Sequence, residues 1–270
     1  MRTALAIATL SLASTGCTRT SPALPKNLND LVVTIQMEQT SRAGFSHDSI
    51  RVELANTDGT VIEQDETHIE VNGARMRLKA GEGMYYNRYA YYSIDAKTHK
   101  GFRLLPSTNH SFVLVMPNGS HRPLTILKTP FPVSLNQFSF VRIPLSPPAA
   151  EFRWSDLAGP MRLSISRTDQ IPDATGNLVS VVGNPENEDS LHRTIGPGWF
   201  RSRSGKWRLP QRFLISSPKR RLEMLEAWIQ AESTAPVAHP FSRKSSATAQ
   251  RRLELTLEWP WEARNGTAEP

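Results

Sequence analysis

A single cysteine, Cys17, stands in the 270 residues of this chain, so no intrachain disulfide can form. Burial and hydrogen bonding must hold whatever fold it adopts. A long apolar run is also missing. The stretch Ala4–Ala13 is about half the roughly 20 residues that a helix needs to cross a bilayer, and nothing later in the chain approaches that length. Catalytic signatures are equally scarce. There is no Gly-x-Ser-x-Gly elbow, no phosphate-binding loop, no dinucleotide fingerprint and no His-Glu-x-x-His. Ser216-Ser217-Pro218-Lys219 matches Ser-x-x-Lys in form, but a Pro at a helix start behind a Ser cap explains it better. The seven histidines (47, 68, 99, 110, 121, 192 and 239) are scattered, and no two have metal-ligand spacing. These absences lead to the expectation of a non-enzyme with no catalytic residue, no metal and no cofactor.

What is present begins at the N-terminus. Met1-Arg2, the apolar run and the small residues Ser14-Thr15-Gly16 before Cys17 describe an export signal. This arrangement resembles the bacterial lipobox, departing from it at Ser14, where Leu is commoner. The resemblance implies lipidation of Cys17, cleavage after Gly16 and acylation of the new terminus. Thr18, rather than Asp, follows the cysteine, which by the same resemblance points to the outer membrane facing the periplasm. The expected division is a signal peptide at 1–17 and a polar, Pro-broken tether at 18–29.

The remainder is long enough for two domains. All five tyrosines lie between Tyr85 and Tyr92, and all six tryptophans lie at or after Trp154. Pro144-Leu145-Ser146-Pro147-Pro148 separates the two territories and reads as a stiff joint. The reading is a β-sandwich at 30–146, a second one at 147–262 and a disordered tail at 263–270.

Strand periodicity dominates the first half. Val33, Ile35 and Met37 alternate with polar residues, as do Ile50, Val52 and Leu54. Asp58-Gly59 and Asn72-Gly73 are hairpin signals, because both pairs tolerate positive φ. Phe112–Met116 is continuously apolar, as in a central strand. The second half offers strands at Phe152/Trp154, Met161/Leu163/Ile165, Leu178–Val182, Phe213/Ile215 and Leu253/Leu255/Leu257/Trp259. Leu222, Leu225, Trp228 and Ile229 form an apolar stripe at helical spacing behind Ser217-Pro218, with Glu226 in solvent. The spacing predicts one covering helix near 218–232. The expected class is mainly β: two tandem antiparallel β-sandwich domains of immunoglobulin-like type, the second carrying that helix. A small α+β fold is the alternative for the second.

Two segments stand out as binding candidates. In Met84–Tyr92, strand alternation puts Tyr85, Tyr89 and Tyr91 on one face and Tyr86, Arg88 and Tyr92 on the other. Rings with hydroxyls and the Arg88 guanidinium suit stacking on a glycan or capture of an extended peptide. Tyrosine is also a strong strand former, so the rings can simply cover a sheet. The second segment, Ser190–Leu222, holds nine basic residues and no acid, with Trp199, Phe200 and Trp207 interleaved. The run accounts for much of the net charge of +7, and Arg201, Arg203, Lys206 and Arg208 are its candidate binding residues. An exported protein rarely meets nucleic acid, so anionic lipid headgroups are the expected counter-charge. A solvated Arg-rich loop beside core tryptophans is the plainer account.

The Val71-Asn72-Gly73 hairpin, the tyrosine-rich strand, the Pro-rich joint and the opening Phe152-Arg153-Trp154 together resemble uncharacterised bacterial lipoproteins with tandem immunoglobulin-like or fibronectin-like domains. The resemblance implies an architecture and no activity. The expected function is a lipid-anchored, monomeric interaction or structural accessory of envelope machinery. A glycan- or peptide-binding module using Tyr85–Tyr92 is the alternative.

Overall fold

The computed structural model describes residues 20–42, 45–82, 88–95, 99, 101–143, 149–172, 175–182, 195–209, 214 and 221–258. Cys17 with its signal, Tyr85, the joint at 144–148, residues 218–220 and the tail at 263–270 lie outside them.

The chain is mainly β, with 18 strands and no α-helix among the described residues. The first half contributes β1 (Thr20–Ser21), β2 (Leu31–Arg42), β3 (Phe45–Asn56), β4 (Val61–Ile62), β5 (His68–Val71), β6 (Ala74–Arg75), β7 (Arg77–Glu82), β8 (Arg88–Asp95), β9 (Asn109–Val115) and β10 (His121–Lys128). The second contributes β11 (Phe138–Ile143), β12 (Ala149–Trp154), β13 (Met161–Pro172), β14 (Leu178–Val182), β15 (Ile195–Phe200), β16 (Gly205–Arg208), β17 (Arg221–Ala235) and β18 (Ser246–Glu258).

One 11-stranded sheet runs through both halves in the order β1-β4-β3-β2-β18-β17-β13-β14, with β8 and β7 branching from β3, and β15 from β13. A four-stranded sheet, β10-β9-β5-β6, and a three-stranded sheet, β11-β12-β16, complete the fold. Alternation along β2 explains its place: Leu31, Val33, Ile35 and Met37 are buried, and the residues between them are at least partly wet. The β5–β6 hairpin turns on Asn72-Gly73, at φ 50° and 78°, the positive values that this two-residue turn requires. β9, with Phe112 and Leu114 fully buried, is central in its sheet, as expected.

Two apolar clusters lie on one face of the large sheet. The first joins β2 and β3 to Ile69, Phe112, Leu114, Leu124 and Leu127 from the four-stranded sheet. The second joins β13 and β17 to Phe138, Phe152 and Trp154 from the three-stranded sheet. Burying one such Leu, Ile or Phe side chain is worth about 1.5–3 kcal/mol, so each cluster is a core in its own right. β18 serves both. Its Ala247 and Ala249 belong to the first cluster and Leu253 to the second. Between them Arg251 meets a polar seam, where Asp48 is fully buried and accepts the Leu104 amide at 2.9 Å. Desolvation lowers the Arg251 pKa against the opposing pull of Asp48.

Three expectations need correction. The helix near 218–232 is a strand from Arg221 to Ala235, paired with β18 from Met224 to Ala235 and with β13 from Arg221 to Gln230. Glu223 is an extra residue in that ladder, a bulge between partners Leu222 and Met224. It displaces Leu222 by one position and creates the apparent helical stripe. Pairing is also not wholly antiparallel, since β18 lies parallel to β2 and β1 parallel to β4. Finally, residues 20–29, read as part of a tether, include β1 and the start of a 3-10 turn (Leu28–Asp30), with Leu24 and Leu28 packed on the first core.

Candidate functional site

β8 divides its tyrosines as strand alternation dictates. Tyr92 faces the core, where its hydroxyl approaches the carbonyls of Gln64 and Thr67 at 3.0 Å each. Burial, with a smaller push from Asp65, raises its pKa to about 12. Tyr89 and Tyr91 stand on the opposite, outer face of the large sheet, with Tyr89 40% exposed. Their ring centroids are 5.9 Å apart. Arg51, from neighbouring β3, lays its guanidinium 4.1 Å from the Tyr91 centroid and pairs with Glu53 at 2.9 Å. Exposed contacts of this cation–π kind are worth about 0.5–1 kcal/mol. Gly81, opposite Tyr89 on β7, makes room for the ring, since a Cβ there would lie 2.8 Å from the Tyr89 hydroxyl.

Arg88 does not join this cluster. It sits at the exposed start of β8, reaching Glu82 at 3.4 Å and Thr20 Oγ1 at 3.4 Å. The outer surface therefore consists of Tyr89, Tyr91 and Arg51, the last of which sequence reasoning missed. Its signal is faint: Arg51 is simply the outward residue between Ile50 and Val52.

The basic run forms a different surface. Arg201 and Arg203 are exposed in the connection from β15 to β16. Lys206 and Arg208, exposed on β16, pair in register with Arg153 and Glu151 of β12. Glu151 is buried beneath them, meeting Arg153 at 3.1 Å and Lys206 at 3.7 Å. One carboxylate thus offsets part of the charge that the linear sequence leaves uncompensated. The tyrosine cluster and this patch lie on different sheets.

A third feature was unforeseen. A cleft of about 290 Å³ opens where β2 ends beside β18. Glu226, Trp228, Glu254 and Thr256 line it on the outer side, with Leu255, Leu135 and Arg42 around them. Trp228, expected to face a core, is 40% exposed with the Arg252 guanidinium 5.0 Å from its ring. The signal was the alternation Met224, Glu226, Trp228, Gln230, Glu232 against Leu225, Ala227, Ile229, Ala231.

The sequence matches no known family model, and no curated protein is similar enough to count as a relative.

Proposed function

We propose that the chain is a lipid-anchored cell-envelope interaction protein without catalytic activity, engaging protein partners through Tyr89, Tyr91 and Arg51. It is exported by its N-terminal signal and held by lipid on Cys17 at the periplasmic side of the outer membrane. The observation that carries the reading is the Arg51–Tyr91 contact at 4.1 Å with Tyr89 alongside. Tyr and Arg are the residues that dominate binding energy at protein interfaces. Here the guanidinium is already oriented by a ring and by Glu53, so less side-chain freedom is lost on binding. The half-exposed Tyr89 ring also favours a second reading, stacking on a glycan, although Arg51 occupies a face of Tyr91 that a sugar would need. Under this proposal the chain comprises two sandwich units of immunoglobulin-like type, each built around one core, with β18 shared between them. The basic patch is a secondary contact with anionic headgroups.

Cross-linking in intact cells tests the reading, comparing wild type with Tyr89→Ala/Tyr91→Ala/Arg51→Ala and with Arg201→Glu/Arg203→Glu/Lys206→Glu/Arg208→Glu. The proposal expects protein adducts lost only in the first set. Adducts that persist there, or that vanish only in the second, count against it.

A further inference from the structure

We infer that the notch beyond the end of β2 is a strand-addition site for an extended peptide whose basic side chains alternate with apolar ones, separate from the tyrosine face. β18 pairs with β2 only as far as Leu253–Ser41, yet stays paired with β17 to Glu258. Past Leu253, the edge of β18 that faced β2 has no strand partner among the described residues. A bare edge presents a row of N–H and C=O groups that an incoming strand can pair with. The cleft of about 290 Å³ opens at that edge.

The two sides of the notch differ in chemistry. In register, Trp228 faces Glu254 and Glu226 faces Thr256, so the two carboxylates are diagonal neighbours on the outer face. Ser166 approaches Glu226 at 3.5 Å, and neither glutamate has an ion-pair partner among the described residues. Arg42, at the mouth, is engaged by the Phe45 ring at 4.9 Å rather than by either acid. On the inner side, Leu135 and Leu255 are half-buried against the second core. A strand laid along β18 would point successive side chains to opposite sides. The outward ones would meet Glu226 and Glu254, which suits Lys or Arg, while the Arg252 guanidinium already lies 5.0 Å from the Trp228 ring. The inward ones would meet the leucines. Charge also disfavours a second copy of the chain as occupant, since pairing edge to edge would bring two acidic outer sides together.

The experiment uses the full chain and fluorescein-labelled Ac-Lys-Val-Arg-Val-Lys-NH2, read by fluorescence anisotropy at low salt. Saturable binding is expected. It should be lost with the scrambled peptide Ac-Lys-Lys-Arg-Val-Val-NH2 and when the amides along one edge of the peptide, the edge that faces β18, are N-methylated, and kept when only those of the opposite edge are. Glu226→Gln/Glu254→Gln should weaken it about three- to tenfold, the range of two exposed ion pairs, with circular dichroism and melting temperature unchanged. Tyr89→Ala/Tyr91→Ala should leave it intact, which separates this site from the tyrosine face. Equal binding of the scrambled peptide or of both N-methylated peptides, or indifference to the double Gln variant, overturns the proposal. So does a dimer seen by sedimentation that excludes the peptide, which would assign the edge to a second copy.

Discussion

The Asn72 side-chain amide nitrogen sits 3.2 Å from His110 Nδ1, while its Oδ1 accepts the Ser111 amide at 2.9 Å. That second bond fixes the amide with its NH2 toward the imidazole, so Nδ1 must be the acceptor and the ring neutral. Protonation would set two donors against each other. His110 is buried, its Nε2 has no hydrogen-bond partner among the described residues, and desolvation lowers its pKa below the ordinary 6.5. A group whose folded pKa is depressed binds its proton more readily when unfolded. Its contribution to stability is therefore intact above about pH 6.5 and is lost as pH falls through the folded pKa. Urea midpoints measured from pH 8 to pH 5 should fall more steeply for wild type than for His110→Leu. Parallel slopes would refute this.

Arg167 and Asp169 form an ion pair inside the second half, Nε to Oδ1 at 2.6 Å, with both side chains almost fully buried. Removing one partner takes the nearest counter-charge from the other in a medium that solvates it poorly. Asp169→Asn should cost about 3–5 kcal/mol, read from urea unfolding. Replacing both with apolar residues of similar volume should cost markedly less.

Neighbouring tyrosines on β8 should behave oppositely. Tyr92→Ala empties a core site and should cost about 3–5 kcal/mol, and Tyr92→Phe, which loses only the hydroxyl contacts, about 1 kcal/mol. Tyr89→Ala should stay within about 0.5 kcal/mol of wild type. Thermal unfolding decides it, and a large loss from Tyr89→Ala would remove the outer face as a free surface.

Cleaving an engineered protease site between Ile143 and Ala149 should not separate the halves. β2 on the first fragment stays paired with β18 on the second, and Thr125 Oγ1 donates to the Pro236 carbonyl at 2.7 Å. The fragments should co-elute in gel filtration and unfold in one calorimetric transition. Independent elution would mean that the shared sheet contributes little cohesion.

Cys17→Ser tests the anchor. The variant should leave the membrane fraction or accumulate as precursor, and normal processing with membrane retention would contradict the lipid anchor.

The sequence by itself determined which residues pair with water and which with a core, wherever one periodicity ran without interruption. β2, β3 and the split of Tyr92 from Tyr89 and Tyr91 were legible because side chains on a strand alternate by necessity. The Asn72-Gly73 turn was legible because few residue pairs accept positive φ in succession. β17 was misread because the bulge at Glu223 placed Leu222 and Leu225 three apart, the spacing of a helix. Only the tertiary structure decided which strands are neighbours. Alternation reports the face that a strand buries and is silent on the edge it offers, so the parallel pairing of β18 with β2, which makes one sheet of two halves, left no mark in either segment. The same holds for Arg51 beside Tyr91 and for Glu226 beside Glu254. Each sits at an ordinary outward position of its own strand, and the registers between strands, set by packing of the buried faces, bring them together.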